Sequence, residues 1–449
     1  MSAIKFFSTN GHPERVDFRA ALLMGQAPDK GLYMPEEIPQ IPRSRIGQFS
    51  KMSYPQIAYE VIKPYLGDLV SDSDLRAMLQ DAYNYDVPVE RVYNEKYVLR
   101  LDRGPTCSFK DFAARAMGRL IQYFLALEGR SILILTATSG DTGSAVAHAF
   151  YGLDNVKVIV LFPEKEVTDR QRRQMTTLGK NIFPLAVQGK FDDCQALVKQ
   201  AFVDADLSEL NLSSANSINI GRLLPQAVYY FYAHSRAAPE GKRTVFSVPS
   251  GNFGDLMGGL LAMKMGLPVQ KFVVATNEND EFPRFMETGI YEPIRPSKNC
   301  ISNAMNVGHP SNLARLFCLY GGKMDETGRV GQQPNMAAMH SDIYAVSITN
   351  EETRQTIKEA YSRYRVLLEP HGAVAWAGLM KYLKECGDTS PCVSLETADP
   401  AKFPEEIVRA TGINPPLPAV MARLDELEES FETMDGQYAS LKEYLRRFL

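Results

Sequence analysis

The 449-residue sequence has few of the features that would place it in a membrane, on nucleic acid or outside the cell. No stretch approaches the roughly 18 uncharged apolar residues of a membrane span, and no long run of single-sign charge is present. The opening residues 1–7 lack the apolar region of a signal peptide, so we expect a cytoplasmic protein. The 53 acidic and 49 basic residues give a formal net charge of −4, which supplies no basic surface for nucleic acid.

Cysteine is scarce, and it is not arranged for a disulfide framework or a zinc site. The six cysteines are scattered without CxxC pairs, and the six histidines lie far apart in sequence. We therefore expect reduced thiols and no metal site.

Several motifs of common enzyme classes are also missing. The absence of GxGxxG and of GxxxxGK[ST] disfavours a Rossmann dinucleotide site and a P-loop. The absence of HExxH and of GxSxG disfavours a zinc protease and a hydrolase with a nucleophile elbow.

What the chain does contain is a repeated alternation of short apolar runs and helical patterns. Its apolar content of 45% and charged content of 23% are typical of globular proteins, and the length suggests about two to three domains. Apolar runs at 131–138, 156–162, 182–187 and 244–248 are each followed by a helical pattern. This alternation predicts an α/β fold with parallel sheets covered by helices on both faces. Residues 220–237 predict one long helix, whose Tyr229, Tyr230 and Tyr232 suit the core or a subunit contact.

Residues 104–111 run from a Gly-Pro loop signal into a helix start that carries Lys110. Apolar residues then recur at three and four positions as far as Leu125, which predicts a helix with one buried face. Ser108 and Asp111 have the spacing of a capping box. The positive end of the helix dipole would lower the pKa of Lys110 and leave a free amine that can condense with an aldehyde. An ordinary lysine at a helix start would show the same pattern.

Two strand–loop–helix junctions, residues 139–143 and 250–255, are rich in glycine and small polar residues. In the first, the hydroxyls of Ser139 and Thr142 and the helix amides suit a carboxylate or a phosphate. In the second, glycines allow backbone amides to close around a phosphate, although glycine also occurs at such turns for steric reasons alone. A reactive lysine, two anion junctions and a parallel sheet together fit pyridoxal 5'-phosphate.

A third polar cluster suggests a site for a second phosphate. The loop 306–312 and the helix start that follows it contain donors suited to a dianion. The donors are His309, Ser311, Asn312 and Arg315. Ser311 could instead cap that helix, with Arg315 solvated.

These segments together resemble the threonine synthase family of fold-type-II pyridoxal phosphate enzymes, and the match runs nearly end to end. It is carried by residues 7–9, 27–33, 109–111, 138–143, 171–176, 251–255, 306–312 and 400–404. Three positions depart from the pattern: residues 164–166 are acidic at both ends where the family tends to be basic, Asp399 replaces a usual histidine, and Cys107 replaces a small or apolar residue. We expect the Cys107 thiol to pack rather than react.

The resemblance implies specific roles for residues of this chain. Lys110 would hold the cofactor covalently and serve as the main base, and the hydroxyl of Thr397 would pair with the ring nitrogen. The cofactor phosphate loop would comprise Gly251, Asn252, Phe253, Gly254 and Asp255. Further contacts to substrate and cofactor are implied for Ser139, Asp141 and Thr142.

The resemblance also implies the architecture and the reaction. The expected fold has two parallel-sheet lobes, similar to the β subunit of tryptophan synthase, with an N-terminal domain (1–90), a catalytic domain (91–400) and a helical C-terminal tail (401–449). The implied reaction converts O-phospho-L-homoserine and water to L-threonine and phosphate, by a monomer or homodimer. A phospho-lyase or serine/threonine dehydratase of the same fold is the alternative.

Overall fold

The computed structural model describes residues 3–238 and 240–449, apart from the side chain of Asp192. Its strands, numbered along the chain, are β1 Phe6–Ser8, β2 Tyr33–Pro35, β3 Val89–Tyr93, β4 Lys96–Arg100, β5 Ile132–Ala137, β6 Val156–Pro163, β7 Ile182–Gln188, β8 Leu212–Ser213, β9 Thr244–Pro249, β10 Val269–Thr276, β11 Lys323–Met324, β12 Val330–Gln332, β13 Ile343–Ser347, β14 Cys392–Glu396 and β15 Glu432–Asp435.

The α-helices alternate with these strands through most of the chain. They are α1 Phe18–Met24, α2 Arg43–Ile46, α3 Tyr54–Leu66, α4 Asp72–Ala82, α5 Lys110–Glu128, α6 Asp141–Phe150, α7 Asp169–Thr176, α8 Phe191–Val203, α9 Ile220–Leu223, α10 Ala227–Ala237, α11 Gly254–Lys264, α12 Glu281–Thr288, α13 Leu313–Leu319, α14 Met336–Asp342, α15 Asn350–Tyr364, α16 Pro370–Cys386, α17 Pro404–Thr411, α18 Ala419–Ala422 and α19 Tyr438–Arg446. No helix within residues 3–238 and 240–449 is both long and apolar enough to cross a bilayer.

Two sheets form the centres of two lobes. The smaller lobe has a five-stranded parallel sheet in the order β15-β7-β6-β5-β8. The larger lobe has a six-stranded sheet in the order β13-β10-β9-β14-β4-β3, parallel except for the antiparallel edge strand β3. Every residue of β5 and of β9 is buried, because helices cover both faces of each sheet. The predicted α/β fold is therefore confirmed.

The N-terminal region packs directly on the helix that begins at Lys110. The ring centroid of Tyr54, in this region, lies 5.3 Å from that of Phe112. The hydroxyl of Tyr83 donates to the Phe112 carbonyl over 2.9 Å. Both tyrosines are buried, so the first 80 or so residues share one core with α5. The domain boundaries at residues 90 and 400 stay predictions.

Two parts of the predicted architecture are wrong in detail. The single helix expected over 220–237 is interrupted by a 3₁₀ turn at Leu224–Gln226, because Pro225 lacks the amide that would continue the helix. The tail is not purely helical: β15 pairs in parallel with β7 and becomes an edge strand of the smaller sheet. The four residues of β15 are mostly exposed and polar, so its sequence carries no buried-strand signal.

Candidate active site

Lys110 is the first residue of α5, and 14% of its side chain is exposed. Burial lowers the pKa of the Lys110 amine, with Lys402 and Arg222 acting in the same direction and Asp141 opposing. The direction of the predicted shift is confirmed, but the largest cause is loss of solvent. A lysine that reaches solvent only in part and holds its proton less firmly is suited to react with an aldehyde.

The capping box predicted for this helix is not present. Phe109 occupies the N-cap position without a capping side chain. The carboxylate of Asp111 instead accepts from the amide of Thr106 at 2.8 Å and from its hydroxyl at 2.7 Å. Asp111 therefore shapes the loop that leads into Lys110, where the spacing had suggested that it closes the helix end.

The first anion junction lies where β5 leads into α6. The hydroxyl of Thr138 accepts from the amides of Gly140 and Gly143, at 2.9 and 2.8 Å, which holds the turn closed. Gly140 has φ of 131°, a conformation that other residues rarely adopt. The hydroxyls of Ser139 and Thr142 are half-buried and have no partner among the residues described, so both can donate to a ligand.

Asp141, in the same junction, is an acceptor surrounded by cations. Its Oδ1 lies 2.9 Å from Lys402 Nζ and accepts from Gln171 Nε2 at 3.0 Å. Its Oδ2 lies 3.9 Å from Lys110 Nζ. The two lysines hold the pKa of this carboxyl well below its usual range, in spite of its burial. Asp141 thus faces the reactive lysine directly.

The second junction joins β9 to α11 through residues 250–253. Phe253 has a left-handed backbone, with φ of 62°. A Cβ on Gly251 would lie 2.9 Å from Met305 Cα and 3.0 Å from the Ala304 carbonyl oxygen. The junction is therefore packed closely against the segment 303–305, and Asn252 extends this packing by accepting from the Ser311 amide at 3.4 Å.

Asp255 has an anchoring role at the start of α11. Its Oδ1 accepts from the hydroxyls of Tyr229 and Tyr230, at 2.6 and 2.7 Å, while Oδ2 has no partner among the described residues. Burial raises the pKa of Asp255 to about 6. Both tyrosines are fully buried, which agrees with the prediction that they belong to the core.

Thr397 follows β14 and faces a buried acid. Its hydroxyl donates to Glu369 Oε1 at 3.3 Å, and Glu369 also accepts from the amides of His371 and Gly372. His371 Nδ1 lies 2.5 Å from Glu369 Oε2, and His371 Nε2 accepts from the Ala304 amide at 3.1 Å. The imidazole is therefore neutral, with its proton on Nδ1. This network links Thr397 to the segment beside Gly251.

In the expected second phosphate site, which stays a prediction, Arg315 is engaged by protein oxygens. Arg315 is fully buried and donates to the carbonyl oxygens of Tyr33, Ser217 and Ile218 and to Asn312 Oδ1. Its guanidinium is occupied with the protein, so it does not offer a free charge to a ligand. Asn312 is equally buried and donates to the Asn252 carbonyl at 3.0 Å. The hydroxyl of Ser311 donates to Asn252 Oδ1 at 3.5 Å.

Arg222, which the sequence did not single out, is a buried arginine with a donor nitrogen that lacks an acceptor among the described residues. It is 3% exposed, donates to the Ala215 carbonyl, and its Nε has no partner in the described part of the chain. Burial lowers its pKa to about 10, and its charge acts on Lys110. A buried guanidinium without a carboxylate partner, close enough to influence the reactive lysine, is suited to bind an anionic ligand.

Comparison with known proteins assigns the chain to a family. A model described as "Pyridoxal-phosphate dependent enzyme" matches residues 88–397. Models of the threonine synthase N terminus and of the threonine synthase C-terminal region match residues 5–83 and 372–445. The threonine synthase of Haemophilus influenzae is 40% identical over 439 residues, which cover 97% of this chain and 98% of that protein.

The chain belongs to the threonine synthase family. Solved structures agree: the pyridoxal phosphate-bound threonine synthase of Brucella melitensis matches with a TM-score of 0.93 at 36% identity, over 99% of both chains. The yeast threonine synthase matches with a TM-score of 0.91 at 30% identity, also over 99% of both chains. The expected family, fold-type-II architecture, pyridoxal phosphate dependence and lyase class are thereby confirmed.

The residues present fit pyridoxal phosphate, the cofactor of this family. The first amides of α11 have no acceptor within their own helix and can bind a phosphate. Lys110 supplies an amine of lowered pKa, and Thr397 supplies a hydroxyl. The Phe109 amide donates to the Thr397 carbonyl at 2.9 Å, so the residue before Lys110 is bonded to Thr397 through the backbone.

Two positions that depart from the threonine synthase pattern have structural roles. Cys107 packs against Ala401 and Met421, and burial raises the pKa of its thiol to about 12. The thiol packs in the interior, in line with the expectation. Asp399 accepts from the Ala401 amide at 2.8 Å and so caps the 3₁₀ turn Pro400–Lys402 that carries Lys402.

Proposed function

We propose that this chain converts O-phospho-L-homoserine and water into L-threonine and phosphate. The observation that supports it most directly is the partly exposed Lys110 amine, whose pKa is lowered, beside two helix starts and an unpaired guanidinium. That set matches a substrate with an amine, a carboxylate and a phosphate. We also propose that the protein acts in the cytoplasm as a monomer or homodimer.

Pyridoxal phosphate, when bound, supplies an electron sink for the carbanions of this reaction. We assign its phosphate to the amides of the α11 start, together with Gly251, Asn252 and Phe253, and its ring nitrogen to the Thr397 hydroxyl. Asp255 acts indirectly: the hydrogen bonds that its carboxylate accepts from Tyr229 and Tyr230 hold the first turn of α11 in place.

Lys110 would do most of the proton transfers. Its amine, when free, would accept the α proton of the substrate and move a proton from the β carbon. The phosphate leaves from the γ carbon, the γ carbon is reprotonated, water adds at the β carbon, and a proton returns to the α carbon. Overall one water is consumed and one phosphate is released.

The substrate's two anionic ends would be held by different parts of the site. The amides and free hydroxyls of Ser139 and Thr142 are assigned to the substrate carboxylate. Arg222 replaces Arg315 as the assigned partner of the substrate phosphate, because its Nε lacks a partner while Arg315 is saturated by carbonyl oxygens. Binding at the phosphate also aligns the γ carbon, so this contact serves turnover as well as affinity.

Product analysis of the purified holoenzyme with phosphohomoserine tests the proposal. We expect threonine and phosphate in equal amounts and little 2-oxobutanoate. Unphosphorylated homoserine, serine and threonine serve as control substrates and should be turned over far more slowly. A keto acid and ammonia as the main products, or equally efficient deamination of threonine, would replace the proposal with the dehydratase or phospho-lyase alternative.

A further inference from the structure

Two lysines from distant parts of the chain share the carboxylate of Asp141. Lys402 Nζ lies 2.9 Å from Oδ1, whereas Lys110 Nζ lies 3.9 Å from Oδ2. The Lys402 side chain is fully buried, whereas 14% of the Lys110 side chain is exposed. The carboxylate is therefore in closest contact with the lysine that cannot reach solvent.

A buried ammonium requires such a partner, because an uncompensated charge in the interior is costly. Gln171 adds a neutral hydrogen bond to Asp141 but no charge. One carboxylate balances one ammonium, so the pair of Asp141 and Lys402 is neutral as a unit. Lys110 is then the third charge, without a carboxylate of its own at this end.

Several other charged or titratable groups act on the Lys110 amine and must be considered with this pair. Besides Asp141 and Lys402, they are Arg222, Glu369 and Asp255. Arg222 and the acids act on the Lys110 amine in opposite directions, and Glu369 already accepts from the amides and the imidazole described above. Lys402 is the cation whose removal would also release a carboxylate toward Lys110.

We propose that Lys402 is a positioning residue for the reaction: by occupying Asp141, it keeps Lys110 available as an uncharged amine that can bind an aldehyde and accept a proton. The inference rests on the proposed role of Lys110 as the cofactor lysine. Lys402 itself touches no reacting atom in this scheme, and its effect passes through Asp141.

The variant Lys402→Met removes the ammonium and keeps a side chain of similar length. Two effects then act in the same direction: the repulsion between the lysines is lost, and Asp141 is left with Lys110 as its cationic partner. Both stabilise the ammonium form of Lys110. We expect the apparent pKa of Lys110 to rise by about one unit or more, which at a fixed lower pH leaves about tenfold less free amine.

The readout is the pH dependence of cofactor attachment to the full-length protein. The protein is freed of cofactor, exposed to pyridoxal phosphate at a series of pH values, and treated with borohydride, and the peptide that carries Lys110 is quantified. The Lys402→Met curve should shift to higher pH relative to wild type, and the acidic limb of the kcat profile should shift with it. Lys402→Arg keeps the charge and should retain the wild-type curve.

A double variant separates charge from structure. Lys402→Met with Asp141→Asn removes one charge of each sign and leaves no unpaired buried ion, so its apparent pKa should return to within about half a unit of wild type. Should Lys402→Met fail to fold, Lys402→Gln removes the same charge with a side chain that can still donate to Asp141, and its curve should shift in the same direction. An unchanged or lowered apparent pKa in Lys402→Met overturns the inference. Absence of any label on Lys110 in wild type would instead overturn the proposed function.

Discussion

The amide of Phe109 donates to the carbonyl oxygen of Thr397 over 2.9 Å. The residue before the reactive lysine is thereby bonded to the residue assigned to the cofactor ring nitrogen, although 288 positions of sequence separate them. An isolated bridge between Ser108 and Ala398 adds to this junction. The positions of Lys110 and Thr397 relative to each other are therefore fixed by backbone, which is less adaptable than side chains.

Lys110→Ala should abolish covalent attachment of the cofactor. Wild-type protein is expected to be yellow, and borohydride should fix the cofactor to the peptide that carries Lys110. Lys264→Ala is the matched control, because Lys264 is an exposed lysine at the end of α11 that pairs with Asp342. Mapping of the label to Lys264 or to another lysine would show that the assignment is wrong.

Gly251→Ala should weaken cofactor retention. The added Cβ would lie 2.9 Å from Met305 Cα, a backbone contact that cannot be relieved by a side-chain rotation. Gly47→Ala is the control, because a Cβ on Gly47 would meet nothing within 4 Å and Gly47 lies outside the proposed site. We expect at least about tenfold weaker cofactor binding for Gly251→Ala, measured by equilibrium dialysis. Equal affinities in the two variants would remove the close packing at Gly251 from the explanation.

Thr397→Ala should retain the cofactor but slow turnover, because one neutral hydrogen bond is worth about 0.5–1.5 kcal/mol. Thr397→Asp should be the more harmful change. Its carboxylate would stand beside Glu369, which now accepts the Thr397 hydroxyl at 3.3 Å, and two buried acids would repel each other. Thr397→Ser keeps the hydroxyl and is the control. The measurements are kcat and the thermal midpoint, and wild-type kcat in both Thr397→Ala and Thr397→Asp would show that Thr397 takes no part in the reaction.

Arg222→Met and Arg315→Met should differ in kind. Loss of Arg222 should lower kcat/KM for phosphohomoserine by about 100-fold, equivalent to about 2.7 kcal/mol, with little loss of thermal stability, because its Nε holds no protein partner. Loss of Arg315 should mainly lower the thermal midpoint, because four protein acceptors lose their donor. If Arg315→Met is stable and Arg222→Met turns over phosphohomoserine normally, the phosphate assignment returns to the 306–312 loop.

Glu281 should make stability depend on pH at a position outside the proposed site. It is 2% exposed, its Oε2 has no partner within the described residues, and burial raises its pKa to about 8. The folded chain then holds a proton that the unfolded chain releases above its ordinary pKa of 4.5. The free energy of unfolding should therefore fall as the pH rises from 4.5 toward 8.

Glu281→Gln removes this titration and should be the more stable protein at the alkaline end. The advantage over wild type should grow by up to about 4 kcal/mol between pH 5 and pH 8. Glu287→Gln, an exposed change on the same helix, is the control. Urea unfolding at each pH gives the comparison, and parallel curves for wild type and Glu281→Gln would refute the assignment.

The sheets and the family could be predicted from the sequence because the patterns that indicate them are local. Strand β5 is a short apolar run buried at every position, and the helix after Lys110 has its buried face at the predicted spacing. The glycine-rich junctions also lie where the alternation placed them, at the ends of β5 and β9. In each case neighbouring residues carry both the pattern and its consequence.

The rest of the site depends on contacts between distant segments. Lys402, Arg222 and Glu369 come from a 3₁₀ turn, a four-residue helix and a helix N-cap, and no short pattern joins them to Lys110. Asp111 is a second example. Its spacing from Ser108 suits a capping box, but its carboxylate accepts from the amide and the hydroxyl of Thr106 instead. Arg315 looked like a ligand donor because sequence cannot show that three carbonyl oxygens surround it.

The closing segment of the chain also couples the two lobes. After β14 leaves the larger sheet, the chain passes through Thr397 and Lys402 and then adds β15 to the edge of the smaller sheet. Thr397 and Lys402 therefore lie on a segment of chain that joins the two lobes. A rotation of one lobe against the other that moved Lys402 away from Asp141 would raise the basicity of Lys110, on the role proposed for Lys402.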